Sequence, residues 1–188
     1  MKVYFVRHGQ SVNNVRGFWT GWMDVDLTEQ GILDAKVAGA FLDGIKFDKV
    51  YSSDLKRAVD TAKYAIPDCE PIATELLREI NVGSIAGKSL SVISDEERAH
   101  LPTIGYKNFG GESNEEFRAR ISEFLKSLEQ KNFENVAVFA HAGVLRGAAR
   151  IALDTYIPMK NMACNNCTVA ILEYINGAWR LYSWINLT

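Results

Sequence analysis

The chain carries no surplus of charge of either sign: 21 Lys and Arg stand against 23 Asp and Glu, a formal net charge of −2. Without a basic field, nucleic acid and anionic membrane surfaces are not expected partners. Cysteine is scarce. Cys69, Cys164 and Cys167 are an odd number, which suits a reducing compartment better than a disulfide framework. No apolar run is long enough to cross a bilayer, and the sequence opens directly into a strand with no signal-peptide pattern, so a cytoplasmic location is expected. Internal repeats, low-complexity tracts and linkers are also missing. The 188 residues are therefore read as one domain, 1–188, able to bury roughly 70% of its unfolded surface.

What is present is an ordinary balance of 47% hydrophobic and 23% charged residues. The spacing Cys164-Asn165-Asn166-Cys167 is that of redox or zinc motifs. A zinc site wants a second ligand pair, which is not nearby, and a redox motif normally opens a helix early in a βαβ unit. This one precedes a late strand, so both cysteines are read as structural.

The first strand, Lys2-Val3-Tyr4-Phe5-Val6, ends at Arg7-His8-Gly9. Ligands of open α/β sheets bind beyond the carboxyl ends of strands, so Arg7 and His8 stand where a substrate would be met. Gly9 allows a sharp turn and close approach to a ligand. Residues 12–27 read as an irregular loop whose aromatics Phe18, Trp19 and Trp22 either line the site's mouth or pack the loop itself. Gln10 and Ser11 either donate to a ligand or simply end the strand. Thr28 caps a helix that runs to Gly44, and Lys49 to Ser53 form a second strand. Asp54 is the expected cap of the next helix, in which Ala58, Ala62 and Ala65 allow close packing.

Further on, residues 71–74 predict a short strand, 75–87 a loop with a helical turn, and 92–100 a modest helix followed by an irregular stretch to Gly110. Ser113 and Glu116 have capping-box spacing ahead of the apolar stripe Phe117, Ile121, Phe124, Leu125 and Leu128. Asn135 to Ala140 read as a buried strand ending at His141, with helix from Val144 to Leu153. Residues 168–175 and 179–185 form a hairpin across Asn176-Gly177. The alternation predicts a three-layer α/β/α sandwich around a mostly parallel sheet, closed by a C-terminal antiparallel hairpin.

One arrangement recurs three times: apolar strand, then basic or polar groups, then a helix start. It appears at Phe5 to Gly9, at Val50 to Arg57 and at Val138 to Gly143. If these strands are parallel neighbours, Arg7, His8, Arg57 and His141 face one crevice. Two guanidiniums and two imidazoles near a helix N-terminus suit a tetrahedral dianion, because the arginine fork matches phosphate oxygens. His100 has no such setting and reads as surface.

These residues carry a resemblance. Arg-His-Gly at 7–9, Asn14, Gly-Trp-Met-Asp-Val-Asp-Leu-Thr-Glu-Gln-Gly at 21–31, Ser-Ser-Asp-Leu-Lys-Arg at 52–57, Leu-Arg-Glu at 77–79, Gly-Gly-Glu-Ser at 110–113 and Ala-His-Ala-Gly at 140–143 occur in order over nearly the whole chain. In this the sequence resembles the histidine phosphatase superfamily, in its cofactor-dependent phosphoglycerate mutase-like branch. The resemblance implies catalytic residues His8, Glu79, His141, Arg7 and Arg57. It also implies substrate contacts from Asn14, Gly21, Arg7, Arg57 and His141. His8 would form a phosphohistidine through one ring nitrogen, its other nitrogen held by a backbone carbonyl. Glu79 would protonate the leaving oxygen and then activate water, with Glu75 the competing carboxylate nearby. No metal and no cofactor are implied, since the arginines supply the positive charge.

One departure stands out. Relatives often carry Trp-Glu-Gly after the acid loop, where this chain has Ile85-Ala86-Gly87. The family's mutases also have a long insertion and a C-terminal lid that keep water from the phosphohistidine. Here only residues 88–110 fill the interval, with Lys88, Arg98 and Lys107 as basic groups, and the chain stops soon after its last strand. The expected activity is thus a phosphomonoesterase on small esters, sugar phosphates or α-ribazole phosphate among them. The alternatives are a cofactor-dependent phosphoglycerate mutase and a non-catalytic phosphate-binding module. The expected partner is a small-molecule phosphate monoester; a homodimer is left open.

Overall fold

The structure, a computed structural model, describes residues 1–155 and 161–188. Six strands form one sheet in the order β3-β2-β4-β1-β5-β6: β1 (Lys2–Arg7), β2 (Lys49–Ser53), β3 (Ile72–Thr74), β4 (Asn135–Ala140), β5 (Val169–Ile175) and β6 (Ala178–Ile185). Strands β1 to β4 run parallel, and β5 pairs antiparallel with both β1 and β6. The hairpin turn falls at Asn176-Gly177, both with positive φ, the backbone that a tight two-residue hairpin demands.

Alternation along β1 divides the core. Val3 and Phe5 face one layer, formed by α5 (Asn114–Glu129) and α6 (Ala142–Leu153). Tyr4 and Val6 face the other, formed by α2 (Glu29–Leu42) and α3 (Lys56–Ala65). Every side chain in the middle of the strand is therefore buried, as a parallel strand covered on both faces requires. This is the three-layer α/β/α sandwich expected from the sequence. Thr28 caps α2, and the Ser113–Glu116 capping box opens α5, each as read from the chain.

Local differences have local causes. A short helix, α1 (Val12–Arg16), occupies the start of the supposed irregular loop, because Ser11 and Asn14 form a reciprocal capping box. Asp54 does not cap α3. The N-cap is Leu55, without a side-chain bond, and Asp54 instead accepts both Nε and Nη2 of Arg78. The modest helix is α4 (Asp95–Ile104), opened by a Ser94–Glu97 capping box and continuing through Pro102. Helix α6 starts two residues earlier than expected, directly after His141. Gly9 serves helix packing: a Cβ there would lie 2.2 Å from the carbonyl oxygen of Gly31, so α2 approaches the first strand end closely.

Candidate active site

Strand register builds the site. Arg7 pairs with Ala140 across β1 and β4, so the next residues, His8 and His141, leave the sheet side by side. Their ring centroids are 5.2 Å apart. Ser52 pairs with Phe139, which brings Ser53 beneath His141, and the Ser53 hydroxyl lies 2.9 Å from His141 Nε2. Arg57, in the first turn of α3, is 1% exposed at the same sheet edge. The four residues that the repeated strand-end pattern singled out do share one crevice.

Hydrogen bonds set each group's orientation. His8 Nδ1 lies 2.7 Å from the carbonyl oxygen of Gly9, an acceptor only, so Nδ1 carries the proton and Nε2 keeps its lone pair. Ser53 Oγ accepts from the Leu55 amide. We assign its own proton to His141 Nε2, which leaves the imidazole proton of His141 on Nδ1. Arg57 donates from Nη1 to the Met23 carbonyl at 2.8 Å and from Nη2 to the Gly21 carbonyl at 2.9 Å. Arg7 donates through Nη1 to the Cys164 carbonyl. After these bonds Arg7 Nε, Arg57 Nε and His141 Nδ1 are buried with no partner among the described residues. Unpaired buried donors cost about 1–3 kcal/mol each, so three around one imidazole pair mark a place for an acceptor with several oxygens.

Electrostatics agree. Burial, then Arg57 and Arg7, hold the His8 imidazole well below its ordinary value. Burial, then Arg57, His8, Arg7 and Arg120, do the same for His141. Both rings are neutral near pH 7, which leaves His8 free to act as a nucleophile. Burial also lowers the Arg57 guanidinium to about 10, still charged at neutral pH.

A consequence is measurable. The unfolded chain protonates these imidazoles near 6.5 and the folded protein only at lower pH, so below 6.5 the unfolded state binds more protons and stability falls as pH falls. Each ring contributes a slope approaching about 1.4 kcal/mol per pH unit. Urea unfolding between pH 6 and 5 should show a slope smaller by about that amount in His8→Asn. An unchanged slope would mean that His8 titrates alike in both states.

Glu79 reaches the crevice from the loop after β3. Its Oε2 accepts from the Gly143 amide at 3.1 Å, in the first turn of α6, and its Oε1 accepts from the Ile80 amide at 2.9 Å. Gly143 leaves room for this carboxylate: a Cβ there would lie 2.1 Å from Glu79 Oε1 and would push the side chain from its present position. Glu75 is exposed and pairs with Arg78, whereas the Glu79 carboxylate meets the first turn of α6 beside His141. Asn14 is at the rim. Its Oδ1 accepts from Ser11 N and Oγ and from Asn166 Nδ2, so only its own amide nitrogen is suited to an anion. Gly21 acts on Arg57 through its carbonyl. Ser11 is absorbed in capping α1, and Gln10 accepts the Thr28 hydroxyl. His100 is exposed on α4.

Other groups at the site carry no local signal in the sequence. Ser53 lies inside the 52–57 motif, but nothing local to the sequence separates it from Ser52. The Cys164–Cys167 stretch contributes backbone and amide groups: the Cys164 carbonyl holds Arg7, and Asn166 Nδ2 donates to the His8 carbonyl at 3.0 Å. Both thiols are buried and free, and burial pushes Cys167 up to about 12. Of the aromatics, Trp19 packs edge-on against Tyr106 in a small cluster with Val82, Ile85, Ile93 and Leu101, whereas Trp22 stands at the site.

Fold and site together define an α/β protein with a paired-histidine, paired-arginine cleft at the carboxyl edge of a parallel sheet. Residues 3–187 match the histidine phosphatase superfamily (branch 1). The chain belongs to that superfamily. It is 36% identical over 168 residues, 81% of each chain, to a 2,3-bisphosphoglycerate-dependent phosphoglycerate mutase of Brucella canis. It is 32% identical over 176 residues, 86% of this chain and 82% of the other, to a Hydrogenobacter thermophilus protein provisionally named phosphoserine phosphatase 2. The crystal structure of TTHB049 from Thermus thermophilus superimposes with a TM-score of 0.79 at 27% identity, covering 99% of both chains.

Proposed function

We propose that the protein is a metal-independent phosphomonoesterase acting on small phosphate esters. The observation that carries this reading is the trio of unpartnered buried donors, Arg7 Nε, Arg57 Nε and His141 Nδ1, beside an imidazole whose Nε2 lone pair is free. Bound there, a phosphoryl group would receive charge-assisted hydrogen bonds on its non-bridging oxygens. The His8 Nε2 lone pair attacks phosphorus, a P–N bond forms, and the ester P–O bond breaks. Glu79 gives its proton to the departing oxygen. It then takes a proton from water, which attacks the phosphohistidine and releases inorganic phosphate.

Hydrolysis is favoured over mutase chemistry by the cover of the site. Of the basic residues between Gly87 and Gly110, Lys107 pairs with Glu116 at 2.7 Å and Arg98 donates to the Leu90 carbonyl at 2.6 Å. Lys88 is exposed. Two of the three are thus engaged within the protein, which leaves Lys88 alone of them to meet a substrate carboxylate, a thin basic cover for a mutase intermediate. Substrates consistent with the site are sugar phosphates, phosphoglycerates, phosphoserine and α-ribazole phosphate. A panel of such esters compared by kcat/KM ranks them.

Two assays test the reading. p-Nitrophenyl phosphate should be hydrolysed undiminished in excess EDTA, and loss of turnover with chelator would defeat the metal-free scheme. Conversion of 3- to 2-phosphoglycerate should stay negligible with 2,3-bisphosphoglycerate added. Robust stimulated conversion would replace the phosphatase by a mutase.

A further inference from the structure

Trp22, in the 18–22 stretch, makes side-chain contacts that tie it to the loop carrying Glu79. It is 36% exposed and belongs to none of the hydrophobic clusters among the described residues, while Trp19 packs the loop. Its side-chain contacts reach the acid loop and α5. The indole Nε1 donates to the Glu79 carbonyl at 2.7 Å. Its ring lies under the Arg78 guanidinium at 4.8 Å and near that of Arg120 at 6.0 Å. Arg120 reinforces the same place. From α5 it donates to the carbonyls of Leu76, Arg78 and Glu79, while Glu112 holds its guanidinium from the other side.

The neighbours of Trp22 do something different. The Gly21 and Met23 carbonyls both accept from Arg57. Three consecutive residues thus grip the anion-binding guanidinium with two backbone oxygens and the acid loop with one indole N–H. From there the chain of contacts closes: the Glu79 carboxylate rests on the Gly143 amide, two residues after His141. A displacement of the acid by about 1 Å can cost on the order of a hundredfold in rate, so a bond fixing its backbone has kinetic weight.

We propose that Trp22 is a positioning residue for Glu79, acting through the bond from its indole N–H to the Glu79 carbonyl and thereby tying the acid to the segment that holds Arg57. The proposal rests on the reading of Glu79 as general acid. A tryptophan that merely filled space would be replaceable by phenylalanine without kinetic consequence. One that positions the acid is not, because phenylalanine keeps the stack on Arg78 and loses the donor.

The test compares Trp22→Phe with wild type on an ester with a poor leaving group, β-glycerophosphate, and one with a good leaving group, p-nitrophenyl phosphate. The expected result is a fall in kcat of about ten- to a hundredfold on β-glycerophosphate, with less than about threefold on p-nitrophenyl phosphate and little change in KM. The double variant Trp22→Phe/Glu79→Gln should be no slower on β-glycerophosphate than Glu79→Gln alone, because the indole acts only through the acid. If Trp22→Phe folds poorly, replacing Trp22 by β-(3-benzothienyl)alanine, which keeps the bicyclic ring and loses only the N–H donor, should show the same split. Equal losses on both esters, or additive losses in the double variant, would overturn the proposal. If Glu79→Gln discriminates leaving groups and Trp22→Phe does not, the positioning role fails alone. If neither discriminates, the assignment of Glu79 falls with it.

Discussion

His8→Ala is expected to lower hydrolysis of p-nitrophenyl phosphate on the order of 10⁴-fold or more, since no other described side chain in the crevice can take its place as nucleophile. The His8 ring is 5% exposed, its Nδ1 proton is committed to the Gly9 carbonyl, and its backbone N–H is bonded to the Ala140 carbonyl at 2.9 Å. Its Nε2 is therefore held in place and unprotonated at neutral pH, with burial and two guanidiniums opposing protonation. His141 does not substitute, because its Nε2 is engaged by Ser53. Brief reaction with labelled substrate followed by alkaline quench should leave an alkali-stable, acid-labile phosphoryl group on the wild type and none on the variant. Hydrolysis that survives the loss of His8 would refute the covalent scheme. Retained binding of inorganic phosphate by His8→Ala, read as a rise in Tm on adding phosphate, would show that the arginines and His141 still hold the anion.

The second large effect concerns the leaving group. Glu79→Gln keeps the side chain's shape and an oxygen for the Gly143 or Ile80 amide but cannot deliver a proton. Turnover of an alkyl phosphate, whose alkoxide leaves only with help, should fall by about 10²- to 10⁴-fold. Hydrolysis of p-nitrophenyl phosphate should fall far less, because p-nitrophenolate leaves unaided. A plot of log kcat against leaving-group pKa should steepen in the variant. Parallel losses across the series would count against the general-acid assignment and point to another proton donor.

Much of this was legible along the chain because strand ends are local events. Apolar runs stopping at Arg7-His8-Gly9, at Ser53 and at His141 mark where β1, β2 and β4 leave the sheet, and parallel pairing then brings those ends to one edge. The capping box of α5 and the Asn176-Gly177 turn were equally readable, since each is decided within four residues. Asp54 misled for the opposite reason. A capping acid is suggested by sequence neighbours, but a bidentate arginine 24 residues away outcompeted the backbone amides for it.

By itself, then, the sequence determined the α/β layering, the family, and the identity of the four side chains that converge, because periodicity and chemical type are carried residue by residue. Only the tertiary structure decided which nitrogen of His8 is free, that Ser53 fixes His141, that the Cys164–Asn166 stretch braces the turn carrying Arg7 and His8, and that the Trp22 indole bonds to the Glu79 carbonyl and joins none of the hydrophobic clusters among the described residues. Those outcomes depend on where a carbonyl or hydroxyl from a distant segment comes to rest within about 3 Å, the hydrogen-bonding range, and no local pattern encodes that distance.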